Sequence, residues 1–336
     1  MRILYAIQGT GNGHISRAKE IIPILKLKGN VDILISGNQC EIKLPFIVKY
    51  QFDGIGFTFG KKGGIDFWQT LKSFKFKQFY SDIKSLPIED YDLIINDFEP
   101  VSAWAAKLKS IPIISLSHQN AVFDRSSPKY GFFKLEKYIL KYYAPSKVKF
   151  GFHFKAYSSA IFTPIIRQEI RIRKVKNKGH YTVYLPAYSD KKIIKVLSEF
   201  SMIKWHVFSK NSDKHQLKKN ISIFPIDETS FTKSLVSCEG VLCGAGFETP
   251  AEALFLQKKL LVIPMKNQYE QQCNALALKD LGITVLRKFN KSKVPQIQTW
   301  LFSNKTIKVS YPDVTEEIMD ALMMPNYREI LISTTG

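Results

Sequence analysis

Short β-rich runs alternate along this chain with helical or loop stretches, and the alternation occurs twice. The first series is Ile3 to Ile7, Val31 to Ser36, Asp92 to Asn96 and Ile111 to Ser117. The second is Tyr181 to Leu185, Ile203 to Phe208, Ile221 to Phe224, Gly240 to Cys243, Leu260 to Ile263 and Ile283 to Leu286. Strands separated by helix-length segments pair in parallel, and their crossover helices cover the sheet. The expected class is α/β, doubly wound, and 336 residues accommodate two domains of roughly 150 residues each.

Between the series lies Arg167 to Lys178, six basic residues to one acid and too polar to fill a core. The expected organisation is a Rossmann-like domain over 1–165, a basic linker over 166–178, a second Rossmann-like domain over 179–315, and a helix in 316–336 that packs back on the first domain. Two stretches break the alternation. Residues 61–84 carry six Lys and six aromatics, including Phe67, Trp68, Phe74, Phe76, Phe79 and Tyr80, and 129–155 carry seven Lys and nine aromatics, including Phe132, Phe133, Tyr142 and Tyr143. Both read as excursions out of the sheet. In the first, Phe67, Leu71 and Phe74 share one helical face while Phe76, Tyr80 and Ile83 repeat the spacing in another phase, against one straight amphipathic helix.

Charge narrows the partners. Forty-nine Lys plus Arg against 29 Asp plus Glu leave +20, which points to nucleic acid, an anionic membrane surface or phosphorylated substrates. With 45% apolar and 23% charged residues the chain is globular, not disordered or collagen-like. Cys40, Cys238, Cys243 and Cys273 show no CxxC pairing, so they read as reduced thiols of a cytoplasmic protein. Ile3 to Ile7 is too short for a signal peptide, and no uncharged apolar run approaches about 18 residues, so any membrane contact is expected to be peripheral.

The first strand ends in Gln8-Gly9-Thr10-Gly11-Asn12-Gly13-His14, after which Ile15, Ala18, Ile22 and Leu25 keep a helical period. Glycines at such a turn let backbone N–H groups approach a ligand, and the helix start favours negative charge. The spacing is not the dinucleotide GxGxxG, and no acid closes the second strand, which disfavours NAD. Pro23 should kink or shorten the helix. His14, at the helix entrance, suits a general base at neutral pH, or else merely caps the helix. A carboxylate would orient its ring, and Asp97, ending a strand at its C-terminal edge, is the candidate, with Glu99 as competitor.

Gly240 to Leu254 reads as strand, small-residue loop and helix, with Thr249 as N-cap, Pro250 at N1 and Glu252 at N3, a capping box. Glu252 then serves the Thr249 backbone N–H. The same helix start also suits a diphosphate.

Here the chain resembles the GT-B glycosyltransferases related to the enzyme that converts lipid I to lipid II and to the UDP-glucuronosyltransferase group. The carriers are Gly9 to His14, Cys243 to Glu252, Leu260-Leu261-Val262-Ile263-Pro264 and Glu270-Gln271-Gln272-Cys273-Asn274-Ala275. The resemblance implies two Rossmann-like domains facing a cleft, a nucleotide-sugar held mainly by the second, and His14 as base in an inverting, metal-independent transfer. It places Gly244, Ala245, Gly246, Phe247, Glu248 and Thr249 at the donor diphosphate, Glu252 on ribose hydroxyls, and Glu270, Gln271 and Gln272 on the sugar. Ile226 falls where the family contacts the base. Gly11, Asn12 and Gly13 form the acceptor loop. Solvated helix-capping is the alternative for the 270–272 run.

The departures are Ala245, where the lipid I enzyme has a hydroxyl residue, and Leu185 to Asp190, which lacks a glycine-rich form although Ser189 retains a phosphate-binding hydroxyl. Asp90-Tyr91-Asp92 spells DxD but precedes a strand, so it reads as turn residues. No cofactor or metal is expected; the donor, expected to be UDP-linked, is a co-substrate. The basic aromatic segments would dock at an anionic inner membrane surface and favour a lipid-linked acceptor, unless the lysines are ordinary surface and the rings are buried. Two rivals stand beside this reading: a nucleic-acid-binding protein, which leaves Glu252, Glu270 and Gln271 unexplained, and a sugar-nucleotide 2-epimerase of the same fold, which needs extra cleft carboxylates.

Overall fold

The computed structural model describes residues 1–37, 44–55, 75–131 and 134–324. Its first sheet comprises β1 (Arg2–Gln8), β2 (Asn30–Ser36), β3 (Tyr50–Phe52), β4 (Leu93–Asp97), β5 (Ile114–Leu116), β6 (Val148–Phe152) and β7 (Ile161–Phe162). The order is β3-β2-β1-β4-β5-β6-β7 and every pairing is parallel. The accompanying helices are α1 (Asn12–Lys28), α2 (Phe76–Ser85), α3 (Pro100–Leu108), α4 (His118–Phe123) and α5 (Lys134–Tyr143), followed by the short α6 (Gln168–Arg171).

The second sheet comprises β8 (His180–Tyr184), β9 (Lys204–Ser209), β10 (Gln216–Lys218), β11 (Ile221–Pro225), β12 (Gly240–Gly244), β13 (Lys259–Ile263) and β14 (Thr284–Val285), in the order β10-β11-β9-β8-β12-β13-β14. It is parallel except for β10, which runs antiparallel to β11 at the edge. Helices α7 (Asp190–Leu197), α8 (Glu228–Ser237), α9 (Glu248–Phe255), α10 (Tyr269–Asp280), α11 (Val294–Phe302) and α12 (Thr315–Met323) complete the chain. Strand order reverses beside β1 and again beside β8, and in open α/β sheets ligands sit beyond the strand C-termini at such reversals.

Side chains alternate across each strand, so β1 feeds two cores. Ile3, Tyr5 and Ile7 pack with Ile15, Ala18 and Ile22 of α1, while Leu4 and Ala6 pack with Val101 and Ala105 of α3. The first of these clusters continues through Phe154, Ile166 and Phe247 to Val241 and Leu254 of the second half. Helix α12 lies against α1, burying Ile318, Met319 and Leu322 in that cluster, and Lys28 pairs with Glu316 at 3.6 Å and with Asp320.

Four sequence expectations are corrected. The 129–155 stretch is not wholly an excursion: Phe150 and Phe152 are buried on β6, which joins the sheet. Helix α1 runs unbroken through Pro23, which is exposed. In the basic run, Ile166, Arg167 and Ile170 are buried, because carboxylates surround the Arg167 guanidinium, whereas 172–179 are exposed. Helix α9 starts at Glu248, earlier than a Thr249 cap would allow, with Phe247 as N-cap and no side-chain cap bond. Pro250 fits because N–H groups of a helix's first turn have no intrahelical acceptor. Residues 61–74, 132–133 and 325–336, with Cys40, lie outside the described residues. Among the described residues no helix is long and apolar enough to cross a membrane.

Candidate active site

A cavity of about 620 Å³ separates the two halves at the C-terminal ends of their strands. On its first wall, β1 delivers the chain into the glycine loop and α1 starts at Asn12 with Gly11 as an extended N-cap, no side-chain cap bond and no acid in the first turn. The N–H groups of a first helical turn have no intrahelical acceptor and present a positive helix end. Close approach explains Gly13: a Cβ at that position would lie 2.9 Å from Glu248 Cγ on the opposite wall.

His14 occupies the first turn of α1, and its Nδ1 lies 2.9 Å from Asp97 Oδ1. Assigned as Nδ1–H donating to the carboxylate, the ring keeps its Nε2 lone pair for the cavity it lines. Asp97 is fully buried at the end of β4. Burial pushes its carboxyl up, but Arg17 and His14 outweigh burial and hold it below the usual range. Glu99, the competitor, is otherwise engaged: it N-caps α3 through Val101 N and Ser102 N, each at 2.6 Å. Between them Phe98 takes φ 57°, a left-handed conformation costly for a bulky side chain, and its ring lies parallel to His14 at 6.5 Å.

Arg17, one turn beyond His14, was not singled out from sequence. Its guanidinium donates to both Asp97 oxygens, at 2.9 and 2.8 Å from Nη2, and to Glu248 Oε1 at 2.5 Å across the cleft. Burial raises the Glu248 carboxyl, and although Arg17 opposes this it is pushed up to about 7.

On the second wall, β12 ends at Gly244 and the turn through Gly246 and Phe247 leads into α9. Gly246, Phe247, Glu248, Thr249 and Glu252 line the cavity. Glu252 does not serve the Thr249 backbone; both its oxygens accept from Arg167, at 2.6 Å from Nε and 2.9 Å from Nη2. Glu270 lines the cavity and accepts from Gln119 Nε2 at 3.1 Å, and the same amide lies 3.5 Å from His14 Nε2. Gln271 also lines it, although its Oε1 accepts from Met265 N at 2.9 Å. Ile226 reaches the cavity, as do Gly11 and Asn12.

Four residues expected on the donor side are not brought to the cavity wall. Gln272 turns to the Met265 carbonyl, Ser189 sits at the start of α7, and Gly244 and Ala245 lie behind the turn, Ala245 fully buried. Sequence reading also missed α4, whose His118 stacks on Phe247 at 4.0 Å and places Nε2 2.9 Å from Asn274 Oδ1. Asn274 in turn donates to the Ala245 carbonyl at 3.1 Å, fixing the donor-side turn. The available signal was the polar run Ser117-His118-Gln119-Asn120 directly after a strand. Among the described residues no three His, Cys, Asp or Glu side chains cluster to hold a metal ion.

A family model described as glycosyl transferase family 1 matches residues 1–303. No curated protein matches the sequence. Among solved structures, the MurG of Acinetobacter baumannii is 17% identical, with a TM-score of 0.57 over 96% of this chain and 98% of that one. Phytolacca americana UGT2, complexed with UDP-2fluoro-glucose and pterostilbene, is 12% identical, with a TM-score of 0.57 over 99% and 98%. A UDP-N-acetylglucosamine 2-epimerase is 11% identical, with a TM-score of 0.56 over 98% and 97%. These likenesses are of fold: two Rossmann-like halves facing a cleft, the GT-B arrangement.

Proposed function

The chain belongs to glycosyl transferase family 1, and from that premise we propose that it moves a sugar from a UDP-linked donor to an acceptor hydroxyl, inverting the anomeric carbon without a metal ion. The carrying observation is the His14–Asp97 pair, with one imidazole nitrogen on a buried carboxylate and the other ring edge in the cleft opposite the α9 start.

In this reading His14 Nε2 takes the acceptor proton as the acceptor oxygen bonds to the anomeric carbon. The bond from that carbon to the diphosphate breaks on the opposite face, and UDP leaves with the electron pair. Asp97 stabilises the imidazolium that forms. Negative charge grows on the diphosphate, where the N–H groups at Gly246 and Phe247 and the positive end of α9 stabilise it more than the ground state. Glu248, at that helix start, is drawn toward the opposite wall by Arg17. Glu252, oriented by Arg167, has lone pairs left for ribose hydroxyls, and Glu270 with Gln271 grips the sugar edge.

A lipid-linked acceptor of the cell envelope, met at the inner membrane surface, extends the reading. It is supported by the basic charge and by Phe76, Tyr80, Tyr138 and Tyr142, which are exposed on α2 and α5.

The test is to incubate the protein with UDP-sugars and acceptor hydroxyls and follow UDP release and anomeric configuration by NMR. An inverted glycoside is expected. A donor epimerised without acceptor would replace the reading with the 2-epimerase one, which the epimerase likeness in fold accommodates.

A further inference from the structure

A second cavity, of about 700 Å³, opens on the second half and borders the cleft through Phe208, which lines both. Its floor is one face of β9 and β11. Lys204, His206 and Phe208 alternate with Trp205 and Val207, which fill the core on the other face. Helix α8 lies over this floor with Ser230, Lys233, Ser234 and Ser237 turned to the cavity. Those positions are the i, i+3, i+4, i+7 stripe that a covering helix ordinarily makes apolar. The sheet face is therefore left unsealed and polar.

Two imidazoles line the cavity side by side, His180 on the neighbouring β8 and His206 on β9. His180 and His206 stack at 3.8 Å, and the Ser234 hydroxyl lies 3.2 Å from His180 Nε2 and 3.1 Å from His206 Nδ1. Burial holds both rings below the usual imidazole range, His206 down to about 4 with help from His180 and His215, so the two rings add no charge near neutral pH. The charge comes from long side chains that reach the cavity from exposed positions around and beside that floor. Arg173, Lys174, Lys176, Lys178, Lys204 and Lys233 line it, all six are exposed, and among the described residues no acidic side chain lines it. A concave site with cations of one sign focuses an attractive field on anions, and lysines meet phosphates as point charges. The volume is in the range of small-molecule pockets.

We propose that this cavity binds a small, soluble, polyphosphorylated molecule, its phosphates on these cationic side chains and its body against the rings. Because Phe208 is a shared wall, the ligand would sit directly behind the donor cleft.

Calorimetric titration of the full chain with inorganic tripolyphosphate tests this. Saturable binding is expected, weakened about tenfold or more in the triple Lys176→Glu, Lys178→Glu, Lys204→Glu. A control triple with the same charge change, Lys26→Glu, Lys107→Glu, Lys279→Glu, should bind nearly as the wild type does. The corresponding Lys→Gln triple at 176, 178 and 204 gives the same comparison if the Glu version fails to fold. Equal losses in the cavity and control triples would reduce the binding to net charge and overturn the proposal. So would no saturable binding, or retention on phosphatidylglycerol vesicles without response to tripolyphosphate.

Discussion

Asp97 is the hinge of the chemistry because two donors share one buried carboxylate, His14 through Nδ1 and Arg17 through a forked guanidinium. Removing Arg17 leaves that charge buried with only an imidazole beside it. Arg17→Ala is expected to lower stability by about 3–5 kcal/mol in urea unfolding. The fold holds the Asp97 carboxyl below its usual range, so its stabilisation is present above the unfolded value of about 4 and is lost as pH falls through the folded value. Asp97→Asn should therefore flatten the acid limb of a stability–pH curve, and an unchanged limb would contradict the assignment. His14→Ala should reduce turnover about a hundred- to ten-thousand-fold with UDP affinity kept, as general-base loss does. His14, Asp97 and Glu270 could be picked from sequence because each sits at the end of a legible strand or inside a motif. Arg17, His118 and Gln119 could not, because their roles arise between elements far apart in the chain, such as His118 and Asn274, 156 positions apart.

Strands read well wherever a run of three or more apolar residues was bounded by polar or small turn residues, as in β1, β4, β12 and β13. The missed ones are either too short to show a period, like β7 with two residues and β3 and β10 with three, or interleaved with lysine and glycine, like β6. Gly151 inside β6 is a packing requirement, since a Cβ there would lie 2.5 Å from the Ala121 backbone nitrogen of α4. Gly151→Ala should cost about 1–3 kcal/mol, read from the unfolding midpoint. Gly246 is the opposite case: a Cβ at that turn meets nothing within 4 Å. Gly246→Ala should leave stability alone and weaken UDP binding about tenfold, because the added methyl would stand between the backbone N–H groups and the diphosphate. The α9 start was misread because proline marked the helix entrance two positions too late, an ambiguity inherent in a residue that fits anywhere in a first turn.

The two halves meet through polar bridges over the cleft, Arg17 to Glu248, Gln119 to Glu270 and His118 to Asn274, beside the apolar contact of Phe247 with Phe154. Closing such an interface on a donor excludes water from the transfer. Bound UDP should accordingly slow amide exchange in the first turn of α9 and at Gln119 relative to the free protein. The twofold architecture was legible because the α/β alternation repeats, whereas the cleft's internal wiring depends on how the halves face each other, which no local pattern records. The most direct test of the whole account is calorimetric titration with UDP, GDP, dTDP, NAD and a short oligonucleotide, run on the wild type and on His14→Ala. Selective, saturable UDP binding of similar affinity is expected in both proteins. Salt-sensitive oligonucleotide binding with no response to any nucleoside diphosphate would contradict it, and loss of UDP binding in His14→Ala would make that histidine a structural cap and not the base.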